Sequence, residues 1–361
     1  MTTKQNQRGG DGSTNIQGES IKYIEVAHYG VSVADAKTIA MDVFEMNVTR
    51  FTEIARQVAS ERVGEFTNKL LGSIPPQSLA ALQDPDVQRR LFFAQQEFAC
   101  SGDDEIGDTL ITLLAERITN SRHGMRRLVL NEALQIAAKL TADHISLLTC
   151  NFFLKYVSFG DDLRTVQEVA EEVDAALTPY RDEIFNLGQP DLDYLRGNGC
   201  LTVNGGFIQA SVSPGQYLGW HYPGIFTQGF TLEEFYDGHH LVGTPLIEEY
   251  PTADGNRYRV RATSMLKLDA MIRKYNLEDK RHAAESALKS RVQPDHVILD
   301  SVLECAPHLK RFFTRWQKMG MSGYMNSASA IAIAHANVRR ATGGKFSTPI
   351  DNWLSAGTDF D

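Results

Sequence analysis

Between Val33 and Leu71 the chain has no proline and a single glycine, Gly64. Across the same stretch Ile39, Val43, Met46, Phe51, Ile54, Val58, Phe66 and Leu70 recur mostly at three- and four-residue steps. That spacing keeps side chains on one helical face, so the pattern predicts one unbroken helix with one apolar stripe. Gly64 costs only about 1 kcal/mol in a helix interior and does not end the run. Ser32 followed by Asp35 has the form of a capping box with Asp in place of Glu, which fixes the start. Globular helices usually run about 8 to 20 residues, so a stripe this long needs a partner surface. Ile39, Val43, Phe51, Ile54, Val58, Phe66 and Leu70 are therefore the candidate oligomer interface, and a homo-oligomer is the expected partner state, with packing entirely within its own chain as the alternative.

The chain is long enough for two or three domains at 361 residues, and 42% hydrophobic with 22% charged residues is ordinary for a globular protein. A formal charge of −9 argues against nonspecific nucleic-acid binding, whose affinity comes from basic groups displacing counterions from phosphates. Two local basic groups stand out: Arg122, His123, Arg126 and Arg127, and Lys310, Arg311, Arg315 and Lys318. At helical spacing both read as solvated faces. Cys100, Cys150, Cys200 and Cys305 are widely spaced and form no CxxC pair, which disfavours a zinc site; each reads as a buried or half-buried free thiol. Reduced thiols, a polar N-terminus without a signal-peptide core and the lack of a long apolar window predict a cytoplasmic protein with no membrane span.

The expected fold is mainly α. Residues 1–30 read as a polar leader with a short strand at Ile21–Val26, and 31–186 as the long helix plus a helical bundle. Amphipathic segments at 77–100, 103–121, 124–140, 142–157 and 163–177 build that bundle, with breaks at Ser101-Gly102-Asp103 and caps at Asp103 and Thr141. Composition then shifts to Gly, Pro and aromatics over 187–263, as in Gly219-Trp220-His221-Tyr222-Pro223-Gly224. This stretch reads as a smaller α+β, winged-helix-like region with strands at 200–203, 207–212 and 257–262. Residues 264–361 form a C-terminal helical region, and its alanine-rich segment from Ser327 to Thr342 predicts tight core packing up to a stop at Gly343-Gly344.

Few residues point to chemistry. His221, Asp237, His239 and His240 are the densest group of metal-ligand types, though they lack a diagnostic spacing such as HExxH. The Gly9-to-Thr14 run lacks the lysine of a phosphate loop and reads as flexible leader. No GxSxG, nucleophile–base pair or dinucleotide fingerprint is present, and no cofactor is expected. His335 reads as a buried, hydrogen-bonded histidine.

Several segments together carry a resemblance. The leader Gly10-Asp11-Gly12-Ser13-Thr14-Asn15-Ile16-Gln17, with Gly10, Asp11, Ser13, Asn15 and Gln17 as its motif positions, is similar to leaders ahead of prokaryotic conflict and defence proteins. Tyr29-Gly30-Val31-Ser32, Asp84-Pro85-Asp86-Val87-Gln88, Asn131-Glu132-Ala133 and Lys139 to Ile145 resemble an uncharacterised bacterial family distantly similar to abortive-infection alpha proteins. The resemblance spans residues 1 to 157 with an echo at Ile333 to Asn337. Where such families read Leu-Thr-x-x-Gly, this chain has Met325-Asn326-Ser327-Ala328-Ser329. The resemblance implies a helical, cytosolic bacterial protein of phage defence and carries over no catalytic residue. The expected function is thus a noncatalytic, self-associating antiphage protein acting through protein–protein contacts. The alternatives are a metal-assisted hydrolase with its pocket in the Gly- and aromatic-rich region, and a winged-helix-like regulatory binding module.

Overall fold

The computed structural model describes residues 31–45, 53–119, 124–159, 163–203, 212–252 and 255–354. The leader positions Gly10, Asp11, Ser13, Asn15 and Gln17, the strand at 21–26, Phe51 and most of the strand at 207–212 lie outside them. The fold is mainly α, as the periodicity implies. Helix α1 spans Val33–Glu45 and α2 spans Glu53–Ser73. Ser32 and Asp35 do form the capping box: Asp35 N–H donates to Ser32 Oγ (3.1 Å), and Ser32 N–H and Oγ–H donate to Asp35 Oδ2.

The single helix expected from Val33 to Leu71 is instead this packed pair. Phe44 of α1 shares a buried cluster with Ala59 and Val63 of α2 and with Ala99. In one straight helix Phe44 and Val63 would stand about 28 Å apart, so α1 and α2 are two helices packed side by side. The buried face of α1 is Ala36, Ala40 and Phe44, while Ile39 and Val43 are only half-buried. Small side chains let α1 approach α3 closely enough for buried Gln95 Nε2 to donate to Ala40 O (3.1 Å) and Thr67 Oγ1 (3.2 Å). On α2, Phe66 and Leu70 are buried, but Ile54 is 80% and Val58 41% exposed.

A 3-10 turn at Pro76–Gln83 leads to α3 (Pro85–Ser101), α4 (Asp104–Thr119), α5 (Met125–Ala137), α6 (Ala142–Tyr156) and α7 (Val166–Leu177). Gly102, in the left-handed conformation, ends α3, and Asp103 Oδ1 accepts from Glu105 N–H and Ile106 N–H to start α4. Next come α8 (Gln189–Gly197), strand β1 (Leu201–Val203), α9 (Pro214–His221) and a hairpin of β2 (Ile247–Thr252) with β3 (Gly255–Val260). Helices α10 (Met265–Tyr275), α11 (Arg281–Ser290), α12 (Asp295–Cys305) and α13 (Leu309–Lys318) follow, then β4 (Tyr324–Asn326), α14 (Ala328–Ala341) and the short α15 (Asp351–Leu354).

Helix α14 runs through the main core against α4, α5 and α6, with Ser329 to Val338 all buried. Its alternating Ala residues admit three neighbours at close range, which is why this segment takes the centre. The glycines of the 187–263 stretch are a packing device of the same kind. A Cβ at Gly215 would lie 2.1 Å from Asp295 O, and one at Gly224 would lie 2.0 Å from Ala262 O. Gly215 thus sets α9 directly on α12.

A second core, built from Phe230, Leu246, Val260, Leu268, Ile272, Ala284 and Leu288, gathers the β2–β3 hairpin with α10 and α11. A winged-helix arrangement is not what forms here. The hairpin precedes the helices it packs on, and β1 pairs antiparallel with β4, more than a hundred residues away, with Leu201 opposite Asn326. That long-range pair is stitched from α6: Lys155 Nζ donates to Met321 O (2.8 Å), Ser322 O (3.2 Å) and Tyr324 O, and Asn151 Nδ2 donates to Asn326 Oδ1 (2.7 Å). Lys155 also lies 5.3 Å from the Tyr217 ring and 5.4 Å from that of Trp316. Burial pushes its ammonium down to about 8.

Candidate anion-binding cleft

Helices α4, α5 and α14 meet around one carboxylate. Glu116 sits on the inward face of α4 with its side chain 3% exposed. Arg126 Nη2 donates to its Oε1 at 2.6 Å and Arg339 Nη1 to its Oε2 at 3.2 Å. Arg126 also reaches Asp351 of α15. His335, one turn before Arg339 on α14, is 1% exposed. Its Nε2–H donates to Thr348 O (2.8 Å), because a carbonyl can only accept, so in the neutral ring the lone pair is on Nδ1. Nδ1 faces Glu116 Oε2 at 3.8 Å. Burial lowers the imidazole pKa below 6.5, against the opposing pull of the Thr348 bond and of Glu116.

These residues wall an open cleft of about 660 Å³ that also takes in Arg340, Gly343, Gly344, Ser347 and Thr348. Arg340 is held in place by Nε (3.1 Å) and Nη2 (3.0 Å), both donating to Asn337 Oδ1, and Asn337 is itself fixed by Thr149. Glycines 343 and 344, both at positive φ, turn the chain out of α14 and across the mouth. Three guanidinium groups thus converge where Glu116, the only lining carboxylate among the described residues, already serves two of them. Arg126 Nε, Arg339 Nε and His335 Nδ1 are buried and have no hydrogen-bond partner among the described residues. Donor-rich, positive and preorganised, the cleft suits a phosphate- or carboxylate-bearing ligand.

Arg126 belongs to the basic group read from sequence as a solvated face; the structure turns it inward to Glu116. His335 is the buried, hydrogen-bonded histidine expected. Glu116, Arg339, Arg340 and Thr348 carried no signal, since their meeting depends on α14 packing against α4 and α5, some two hundred positions earlier in the sequence. Nearby, Arg117, 2% exposed, donates to Asp86 Oδ2 (2.7 Å) and Asn131 Oδ1 (3.1 Å), pinning α3, α4 and α5. Burial opposes ionisation of Asp86, yet its bonds to Arg117 and Asn131 prevail and hold its carboxyl below the usual range.

The candidate metal ligands do not come together. His221, at the end of α9, belongs to the main core, where Nε2–H donates to Leu154 O (3.2 Å) and Nδ1 accepts from Ser158 Oγ (3.0 Å). Both ring nitrogens are engaged, and burial lowers its pKa. Asp237, His239 and His240 sit in a 3-10 turn that packs on α11, where both histidines are exposed and His239 lies against the Tyr236 ring. Among the described residues no group of three or more His, Cys, Asp or Glu side chains is placed to hold a metal ion. Cys150 and Cys200 are buried, whereas Cys100 and Cys305 are exposed, a correction to the buried or half-buried setting expected for all four.

Among the described residues no helix is long and apolar enough to cross a membrane. A family model matches residues 30–354. The chain belongs to that family. The match takes in both cores and the cleft, begins after the leader, and carries no activity in its description. No curated protein and no solved structure matches the chain.

Proposed function

We propose that this is a noncatalytic, self-associating bacterial protein of antiphage defence, with the cleft at the end of α14 as its ligand site. The observation that carries the binding role is the convergence of Arg126, Arg339 and Arg340 beside buried His335, around a carboxylate already saturated by two of those arginines. A phosphate-bearing small molecule is the ligand class such a fork of guanidinium groups recognises best, because two N–H donors meet two oxygens in one plane. The defence role rests on the sequence resemblance to abortive-infection alpha proteins. Self-association rests on Ile54 and Val58, two members of the apolar stripe that the fold leaves exposed.

The test pairs titration calorimetry with pyrophosphate and phage plating on a susceptible bacterium expressing the intact gene. Wild-type protein is expected to bind and to protect, and Arg339→Glu with Arg340→Glu to lose both while keeping its helical circular dichroism. Wild-type protein that binds no phosphate-bearing probe would remove the ligand reading. Full protection by the double variant would separate the cleft from defence.

A further inference from the structure

The second basic group of the sequence, Lys310, Arg311, Arg315 and Lys318, forms the rim of a groove of about 630 Å³ along α13, floored by Phe185 and Pro307 and lined by no carboxylate. The inner face of α13 is locked by buried Leu309, Phe312, Phe313 and Trp316, so the helix that carries the cations is fixed in position. Arg311 lies flat on the Phe185 ring at 4.0 Å, and Arg315 donates to Leu187 O. Lys310 and Lys318, both exposed, have no ion-pair partner among the described residues. In a chain of charge −9 this is a concentrated positive strip.

Its complement lies on the same molecule. The outward stripe of α2 is Ile54, Val58, Glu61 and Glu65, all exposed and at steps of four, three and four residues. Arg62, beside them, turns away to donate to Ala99 O (2.8 Å). The surroundings are acidic as well. Residues 31–45, 53–73 and 101–108 hold ten carboxylates (Asp35, Asp42, Glu45, Glu53, Glu61, Glu65, Asp103, Asp104, Glu105, Asp108) against four cations (Lys37, Arg56, Arg62, Lys69). Gln57 and Lys69 are the partners of Glu61 and Glu65, both within α2 and at the surface, where such contacts exchange readily.

We propose that the α2 stripe of one copy seats in the α13 groove of a second copy, as a head-to-tail contact; this rests on the self-association reading above and names its interface. Ile54 and Val58 supply apolar anchors for the Phe185 and Pro307 floor. Glu61 and Glu65 rise about 6 Å apart along their helix, the same rise that separates Arg311 from Arg315, so both carboxylates meet cations at once. The contact joins two different faces, which makes it heterologous, and it propagates into a ring or an open filament. Charge pairing at its rim makes assembly weaken as salt rises.

The experiment is sedimentation velocity on the full chain across concentration and from low to high salt. Three variants accompany it: Glu61→Lys with Glu65→Lys, Arg311→Glu with Lys318→Glu, and Ile54→Ser, all at exposed positions. Wild type is expected to assemble at low salt and dissociate at high salt. Each double variant alone is expected to be monomeric, Ile54→Ser to need at least tenfold more protein, and an equimolar mixture of the two double variants to assemble again. Assembly of both double variants at wild-type concentrations would overturn this interface and leave self-association through another face standing. A wild-type chain that stays monomeric at every concentration and salt would overturn both.

Discussion

Glu116→Gln separates what the buried carboxylate does for the fold from what it does to the cleft. The substitution keeps the size of the side chain and removes one negative charge from between Arg126 and Arg339. Removing one partner of a buried pair costs about 3–5 kcal/mol when the other is sealed from water. Here the arginine side chains are 24% and 40% exposed, so each recovers part of its hydration. The expected loss is about 2 kcal/mol, a fall in Tm of about 3 °C for a chain of this size. Ligand binding moves the other way. A unit charge about 7 Å from a bound anion at an effective dielectric of about 20 contributes about 2 kcal/mol of repulsion, which salt reduces to about 1.4 kcal/mol, or roughly tenfold in affinity. Glu116→Gln is therefore expected to melt earlier and to bind pyrophosphate about tenfold tighter. Melting by circular dichroism and calorimetry well below the transition measure the two effects. A variant that binds more weakly than wild type while remaining folded would refute the assignment of the cleft to anions. A variant as stable as wild type would refute the view that Glu116 pins α4, α5 and α14.

Other sites give equally direct outcomes. Lys155 has a folded pKa of about 8 against an ordinary 10.5, so between those values the unfolded chain holds the extra proton and stability rises with pH. Lys155→Met is expected to lose that rise and, by orphaning three carbonyls, about 3 kcal/mol at pH 7, measured by urea unfolding at pH 7, 8, 9 and 10. His335 has a folded pKa below 6.5, so its contribution is present above 6.5 and is lost as pH falls through the folded value, the unfolded ring taking its proton first. His335→Gln is expected to flatten part of the acid-side slope in the same assay run from pH 7.5 to 5. Gly224→Ala drives a Cβ onto Ala262 O and is expected to cost about 3 kcal/mol, seen as a lowered urea midpoint with an unchanged m-value.

Local chemistry was the most legible layer of this chain. The Ser32–Asp35 box, the Gly102 stop with its Asp103 cap, the Thr141 cap and the turn at Gly343-Gly344 each depend on residues within a few positions of one another. The buried role of the alanine-rich helix was legible too, since small residues at that density leave a surface that only close packing uses. The site itself was not. Glu116, Arg126, His335, Arg339 and Arg340 are ordinary members of amphipathic helices until α14 is laid between α4 and α5. His221 and His239, close in sequence, end apart because the intervening chain crosses from the main core to the second, where His239 stays exposed at the surface.

The sequence by itself determined that this chain is helical, where most helices begin and end, and that a small-residue helix would be central, because periodicity and capping act over one or two turns. Tertiary structure decided the rest. It packed α1 against α2 in place of one long helix, where Phe44 is buried with Ala59, Val63 and Ala99. It left Ile54 and Val58 outside, chose the Ala36 face over Ile39, and drew two arginines and a histidine to one glutamate. Each of those outcomes is fixed by contacts between residues tens to hundreds of positions apart, and such contacts have no periodicity to read.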